Sequence, residues 1–136
     1  MVLVEPLIKS SGGAVKPDLV FWNSEASYVL DVAVDGDWFD PDTGHERKVA
    51  KYSVVPEITA LVQRSRFPFR NANQVPTFTA FVSNWRGVLS RKSSYALMEL
   101  GCFRKTDLKL LSVAIVQEST WVHQMFHWST YWCRAV

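Results

Sequence analysis

The 136-residue chain lacks the features that announce many common chemistries. It has only two cysteines, Cys102 and Cys133, far apart and without metal-ligand partners close by. They read as free thiols in a reducing compartment, and nothing in their spacing supports a disulfide. No run approaches the ~20 apolar residues of a membrane span, and the N-terminus lacks the charged-then-apolar pattern of a secretory signal. There is no glycine-rich phosphate loop, no serine nucleophile elbow, no paired Cys-x-x-Cys, no internal repeat and no low-complexity segment. Charge of either sign is not in great excess: the net charge of +2 permits a polyanionic partner without demanding one. What is present is the length of one domain, with 48% hydrophobic residues to build a core. A starting methionine inside what reads as a strand suggests a piece cut from a longer protein.

Residues 16–52 carry the chemistry. Segments 16–22 and 28–34 are rich in β-branched and aromatic residues and read as strands. The polar residues 23–27 between them suit a tight turn. A hairpin centred between Ser24 and Glu25 sets Val20 opposite Val29, Leu19 opposite Leu30, and Asp18 opposite Asp31. Directly opposed Cβ atoms lie roughly 5 Å apart. Two bare carboxylates about 4 Å apart repel by roughly 4 kcal/mol at an effective dielectric near 20. Such a pair shares a proton, flanks a lysine or shares a metal. In a different register, both aspartates would be solvated strand ends.

Beyond the second strand, residues 35–37 read as a turn and residues 40–42 as the start of a loop. Thr43 and Glu46 fit a capping box, with threonine as N-cap. In the helix that follows, His45, Lys48 and Tyr52 fall on one face. A helix entered from the end of the Asp31 strand can fold back over it, which would bring Lys48 to the carboxylates. The plainer fate of Lys48 and Lys51 is a solvated basic surface.

Pro17-Asp18, Asp31-Val32-Ala33 and Lys48 together resemble the PD-(D/E)xK nuclease core. The usual lysine two positions after the second acid is replaced by Ala33. A lysine on the next helix, followed by Lys51-Tyr52, is similar to the restriction-like endonuclease domain of site-specific non-LTR retrotransposons. Glu5-Pro6, residues 16–20, residues 30–32, His45 and Trp85-Arg86-Gly87 belong to the same resemblance, which covers residues 4–119 or so. It implies a metal-dependent DNA endonuclease that nicks a target so that the new 3′ hydroxyl primes reverse transcription. It implies magnesium or manganese held by Asp18, Asp31 and the backbone carbonyl of Val32, with Lys48 as the catalytic lysine and Lys51 in reserve. His45 and Tyr52 would position the lysine or touch phosphate. The expected partners are DNA and other domains of the parent protein, a reverse transcriptase among them, and the expected location is the nucleus. A structure-selective resolvase and a catalytically silent DNA-binding module with the same fold remain open.

The rest of the chain supplies scaffold and candidate contacts. Residues 2–8 read as an edge strand that tolerates Pro6. A hairpin centred between Ser11 and Gly12 would set Glu5 opposite Asp18, making Glu5 a candidate third acid, or else an edge-strand charge that discourages pairing. Pro56 marks a helix restart, and residues 57–66 continue as helix with Ile58, Leu61 and Val62 inward. Arg64, Arg66 and Arg70, interleaved with Phe67 and Phe69, suit phosphate contact or a charged helix end over two core phenylalanines. Residues 77–83 alternate as a strand, expected to run parallel to a neighbour after a helical crossover. Arg86, Arg91 and Lys92 are candidates for the DNA approach. Residues 90–100 read as a helix stopped by Gly101, and residues 107–117 as another. The tail from Trp121 reads as packing or domain contact in preference to base stacking. His123 and His127 are four apart, but no third metal ligand is evident. The expected fold is therefore α/β: a mixed sheet on an antiparallel meander, flanked by helices. A core over about residues 1–88 would carry a helical extension over 89–136.

Overall fold

A computed structural model describes residues 2–22, 26–64, 75–101 and 103–134, and the side chains of these up to Met125. Residues 23–25, Arg66, Phe67, Phe69, Arg70 and Cys102 lie outside the described residues, as do the side chains of His127 and Cys133.

The strands are β1 (Val2–Val4), β2 (Ile8–Ser10), β3 (Gly13–Val15), β4 (Leu19–Trp22), β5 (Ser27–Asp35) and β6 (Thr77–Asn84). The helices are α1 (Pro41–Ser53), α2 (Pro56–Arg64), α3 (Arg91–Glu99) and α4 (Lys105–Arg134). Strands β1, β4, β5 and β6 form one sheet in that order, and β2 and β3 form a separate two-stranded ribbon. The expected hairpin register holds: Val20 pairs with Val29 and Leu19 with Leu30. Strand β6 runs parallel to β5 with Asp31 opposite Ala80, because the α1–α2 crossover returns the chain to the same end of the sheet. The fold is thus a mixed sheet on an antiparallel meander with four helices among the described residues.

Alternation along the strands divides the core in two. Val20, Trp22 and Val29 point to one face and pack with Ile8, Tyr52, Ile58 and Val62 of β2, α1 and α2. Leu30 points to the other and packs with Leu97 and Leu108 of α3 and α4, with Leu19, Phe21 and Phe81 beside them. Asp31 follows Val29 onto the α1 face by the period of two.

Three local expectations need correction. Residues 2–8 are not one strand. The chain breaks at Glu5, whose φ of 48° is left-handed, and continues through Pro6 into β2. The register is nonetheless the expected one, since Val4 pairs with Leu19 and the Glu5 N–H donates to the Asp18 carbonyl at 2.7 Å. Helix α1 starts a turn earlier than the Thr43–Glu46 pattern implies. Asp40 is the N-cap and accepts from the Thr43 N–H at 3.1 Å. Pro41 at the first helical position loses nothing by lacking an N–H there. Residues 107–117 and the tail are one helix, α4, of 30 residues, since no glycine or proline interrupts it.

Helix α4 is seated against the Trp85-Arg86-Gly87 turn through a tight backbone approach. A Cβ on Gly87, whose φ is +76°, would lie 2.5 Å from the Ser112 carbonyl oxygen and 2.9 Å from Val116. Gly87→Ala is expected to lower stability by roughly 1–3 kcal/mol, from left-handed strain and forced overpacking. A thermal melt checks this, with hydrogen exchange expected to show the loss in α4 first. Unchanged melting and α4 protection would show that the helix does not depend on this seat.

Candidate active site

The β4–β5 ladder ends at Leu19 and Leu30. There the Asp18 side chain takes over the open edge of β5: its Oδ2 accepts the Val32 N–H at 2.6 Å. Asp18 and Asp31 therefore stand side by side, as the register requires. Val32 enters the site through that N–H.

Helix α1 lies back over β6 and the neighbouring β5. Gly44 approaches so closely that an added Cβ would sit 2.5 Å from Asp35 Oδ2 and 3.0 Å from Val82. From Gly44 to Tyr52 the helix climbs about 12 Å at ~1.5 Å per residue. From Asp35 back to Asp31 the strand covers about 13 Å at ~3.3 Å per residue. The two lengths match, so the last turns of α1 arrive over Asp31.

Asp31 is buried, its side chain only 4% exposed. Oδ1 accepts the Tyr52 hydroxyl at 2.9 Å. Oδ2 lies 2.5 Å from Lys48 Nζ and has no aligned hydrogen bond among the described residues, so charge rather than a directed bond holds it. Tyr52 is itself buried. Burial, and then the hydrogen bond to Asp31 and the charges of Asp31 and Asp18, push its phenol well above the usual range. It stays protonated and donates. Lys51, on the exposed side, donates from Nζ to the Tyr52 hydroxyl oxygen at 3.2 Å and lies 4.7 Å from the centre of its ring. Lys48 touches the carboxylate directly, whereas Lys51 reaches it through the phenol.

His45 lies on the same face of α1 but does a different job. Its Nδ1 is 3.1 Å from the Ala80 carbonyl oxygen and 3.0 Å from Ser93 Oγ. A carbonyl can only accept, so Nδ1 carries the proton. Ser93 Oγ also accepts the Val82 N–H at 3.0 Å. Asp42 accepts from Ser90 Oγ at 2.7 Å and from the Lys92 N–H at 3.2 Å. This network pins α1 to β6 and to the start of α3, fixing the helix that carries Lys48. His45 points into it, so it acts on the position of Lys48 through the helix backbone and not by touching the lysine. Ser93 and Ser90 have no sequence signal before α3 is placed.

Burial holds the His45 imidazole below its ordinary pKa of 6.5. In the unfolded chain the imidazole binds its proton at higher pH than in the folded one. Its contribution to stability is therefore complete above about pH 6.5 and is lost as pH falls below that value. The melting temperature is expected to drop between pH 7.5 and 5.5, and the slope to flatten in His45→Asn. An unchanged slope in the variant would show that other groups set this dependence.

The remaining candidates fall elsewhere. Glu5 is opposite Asp18 along the backbone, but its carboxylate is paired at 2.7 Å with Lys16, both about half exposed. Arg86 pairs with Asp37 at 2.7 Å, Arg91 with Asp42 at 3.8 Å, and Lys92 with Glu46. These three lie by the 36–40 loop and the start of α3 and do not join the carboxylate pair. Arg64 is exposed at the end of α2, bordering a hollow with Lys9 and Leu61.

Among the described residues, no three His, Cys, Asp or Glu side chains gather as a metal cluster. Magnesium does not require three, since it is commonly held by one or two carboxylates plus water and phosphate oxygens. The donor chemistry fits a hard cation, since Asp18 and Asp31 offer two carboxylates at neighbouring strand positions, with Lys48 on Asp31 Oδ2.

No family model matches the chain. It is similar to the retrovirus-related Pol polyprotein from type-2 retrotransposable element R2DM of Drosophila melanogaster, at 30% identity over 126 residues. The similarity spans 93% of this chain and 11% of that polyprotein. The chain thus resembles a segment of a retrotransposon protein, about a tenth of its length. Among the described residues no helix is long and apolar enough to cross a membrane.

Proposed function

We propose that the chain is a metal-dependent DNA endonuclease domain of the PD-(D/E)xK type that nicks target DNA on behalf of a retrotransposon protein. The observation that carries this reading is a buried aspartate, Asp31, beside a second carboxylate, with Lys48 Nζ 2.5 Å from its Oδ2. Similarity to a retrotransposon Pol polyprotein supports the biological setting.

Magnesium or manganese held by Asp18, Asp31 and the Val32 carbonyl would polarise a scissile phosphate and lower the pKa of a bound water. The chain's own residues prepare that position. The Val32 N–H fixes the Asp18 carboxylate, and the Tyr52 hydroxyl fixes that of Asp31. Lys48 brings positive charge to the place where a phosphate oxygen gains negative charge during displacement. Lys51 adds a second cation behind Tyr52 and favours the approach of the polyanion. The helix-borne lysine takes the role vacated at Ala33. The 3′ hydroxyl left by the nick would prime reverse transcription by another domain of the parent protein, in the nucleus.

The test is nicking of supercoiled circular DNA by the 136-residue chain. Open circles with 3′-hydroxyl ends are expected with magnesium or manganese and none with a chelator. DNA that stays intact with every divalent cation, but is retained in a salt-dependent complex, would replace the enzyme with a silent binding module. Faster cutting of four-way than of linear DNA would instead identify a resolvase.

A further inference from the structure

The strand-end turns that follow β5 and β6 carry an unusual amount of exposed aromatic surface. Trp38 is 82% exposed, Phe39 50% and Trp85 47%. Asp35 and Asn84 are register partners at the ends of their strands, so the two turns that follow are neighbours. The Asp37–Arg86 ion pair at 2.7 Å joins them.

Each ring is backed on one side. The Trp38 indole lies flat over Gly36, where an added Cβ would sit 2.7 Å from its ring carbon. The Arg86 guanidinium lies 5.0 Å from the centre of the Trp85 ring, and that of Arg47 lies 6.0 Å from the Phe39 ring. Trp38 and Phe39 are 6.1 Å apart at a 54° tilt. Trp85 also walls an apolar cleft of about 780 Å³ with Val34, Val122 and His123, within the ~300–1,000 Å³ range of small-ligand sites. Held rings with an open face bind flat aromatic partners well, because little side-chain freedom remains to be lost.

We infer that Trp38, Phe39 and Trp85 form a stacking strip for unpaired nucleobases. This rests on the nuclease reading for the identity of the polymer. Aromatic rings combined with arginine are the sequence-tolerant means of holding unpaired strands. The two arginines here are already matched by Asp35 and Asp37. The strip is therefore close to neutral and contributes stacking rather than phosphate attraction. It begins beyond Asp35, which is about 13 Å along β5 from Asp31 by the ~3.3 Å rise of a strand. That is about four base steps at ~3.4 Å each. The strip accordingly selects DNA that is open a few bases from the cut.

The test measures anisotropy of a fluorescein-labelled single-stranded oligothymidylate and of a matched duplex, with chelator present so that nothing is cut. Trp38→Ala and Trp85→Ala are each expected to weaken single-strand binding about 5- to 100-fold and to leave duplex binding and the salt slope unchanged. Gly36→Ala, which displaces the indole without removing it, is expected to act in the same direction. Trp121→Ala, an exposed tryptophan on α4 outside the strip, serves as the control. Single-strand affinity within twofold of wild type in both tryptophan variants overturns the inference, as does an equal loss in the control or on duplex. Single-strand binding that depends on Trp38 in a chain that never nicks would sink the nuclease reading and leave the strip standing. Nicking without any single-strand binding would do the reverse.

Discussion

Replacing Lys48 by methionine is expected to abolish nicking and to destabilise the fold by roughly 3 kcal/mol, the scale for removing one partner of a buried ion pair. The reason is the environment of Asp31. Its side chain is only 4% exposed and Lys48 supplies the charge at Oδ2. With methionine in place, the carboxylate keeps the Tyr52 hydroxyl but loses its nearest cation. Lys51 cannot substitute, because its Nζ reaches Tyr52 rather than Asp31. The double variant Lys48→Met/Asp31→Asn should recover most of the lost stability, since no bare charge is then buried, and it should still fail to nick. Lys51→Met should cost less than about 1 kcal/mol, as exposed charges do, and slow nicking by less than about tenfold. Urea denaturation and the plasmid assay, run on the four proteins, check this. If Lys51→Met proved the more damaging of the two lysine variants, the roles given to Lys48 and Lys51 would have to be exchanged.

Asp18→Asn is expected to separate catalysis from folding. The Asp18 carboxylate accepts the Val32 N–H at 2.6 Å, where the β4–β5 ladder has run out. Asparagine offers a neutral oxygen to the same N–H, so stability should stay within about 0.5 kcal/mol of wild type. The negative charge is gone, and with it half of the carboxylate pair. Nicking should fall by about 10²–10³-fold or more, the scale for losing one electrostatic group at a reacting centre. Asp18→Ala should add a structural loss of about 1 kcal/mol, because the edge N–H then has no acceptor. Wild-type nicking in Asp18→Asn, under any divalent cation, would remove Asp18 from the site.

The hairpin explains why so much of this arrangement was readable in advance. Once the turn is centred between Ser24 and Glu25, a period of two dictates that Asp18 meets Asp31 and that both share a face with Val20 and Val29. The helical period likewise puts His45, Lys48 and Tyr52 on one side of α1. It could not say what each would touch. Lys48 and Tyr52 meet Asp31, while His45 meets the Ala80 carbonyl and Ser93, residues 35 and 48 positions away. The partners of the basic residues were hidden for a related reason. Arg86, Arg91 and Lys92 have no acidic partner that the sequence shows, and folding brings Asp37, Asp42 and Glu46 to them.

Local steric and periodic rules were sufficient for the β4–β5 hairpin and the adjacency of the two aspartates, because each depends on one short stretch around a single turn, and the parallel run of β6 followed from the helical crossover before it. Other features waited on the tertiary structure. They include the bend at Glu5, the burial that leaves Asp31 leaning on one lysine, and the serines that lock α1 in place. The exposed ring strip formed by two separate turns is another. These are set by which surfaces come together across long separations, and such meetings leave no mark on the residues nearby.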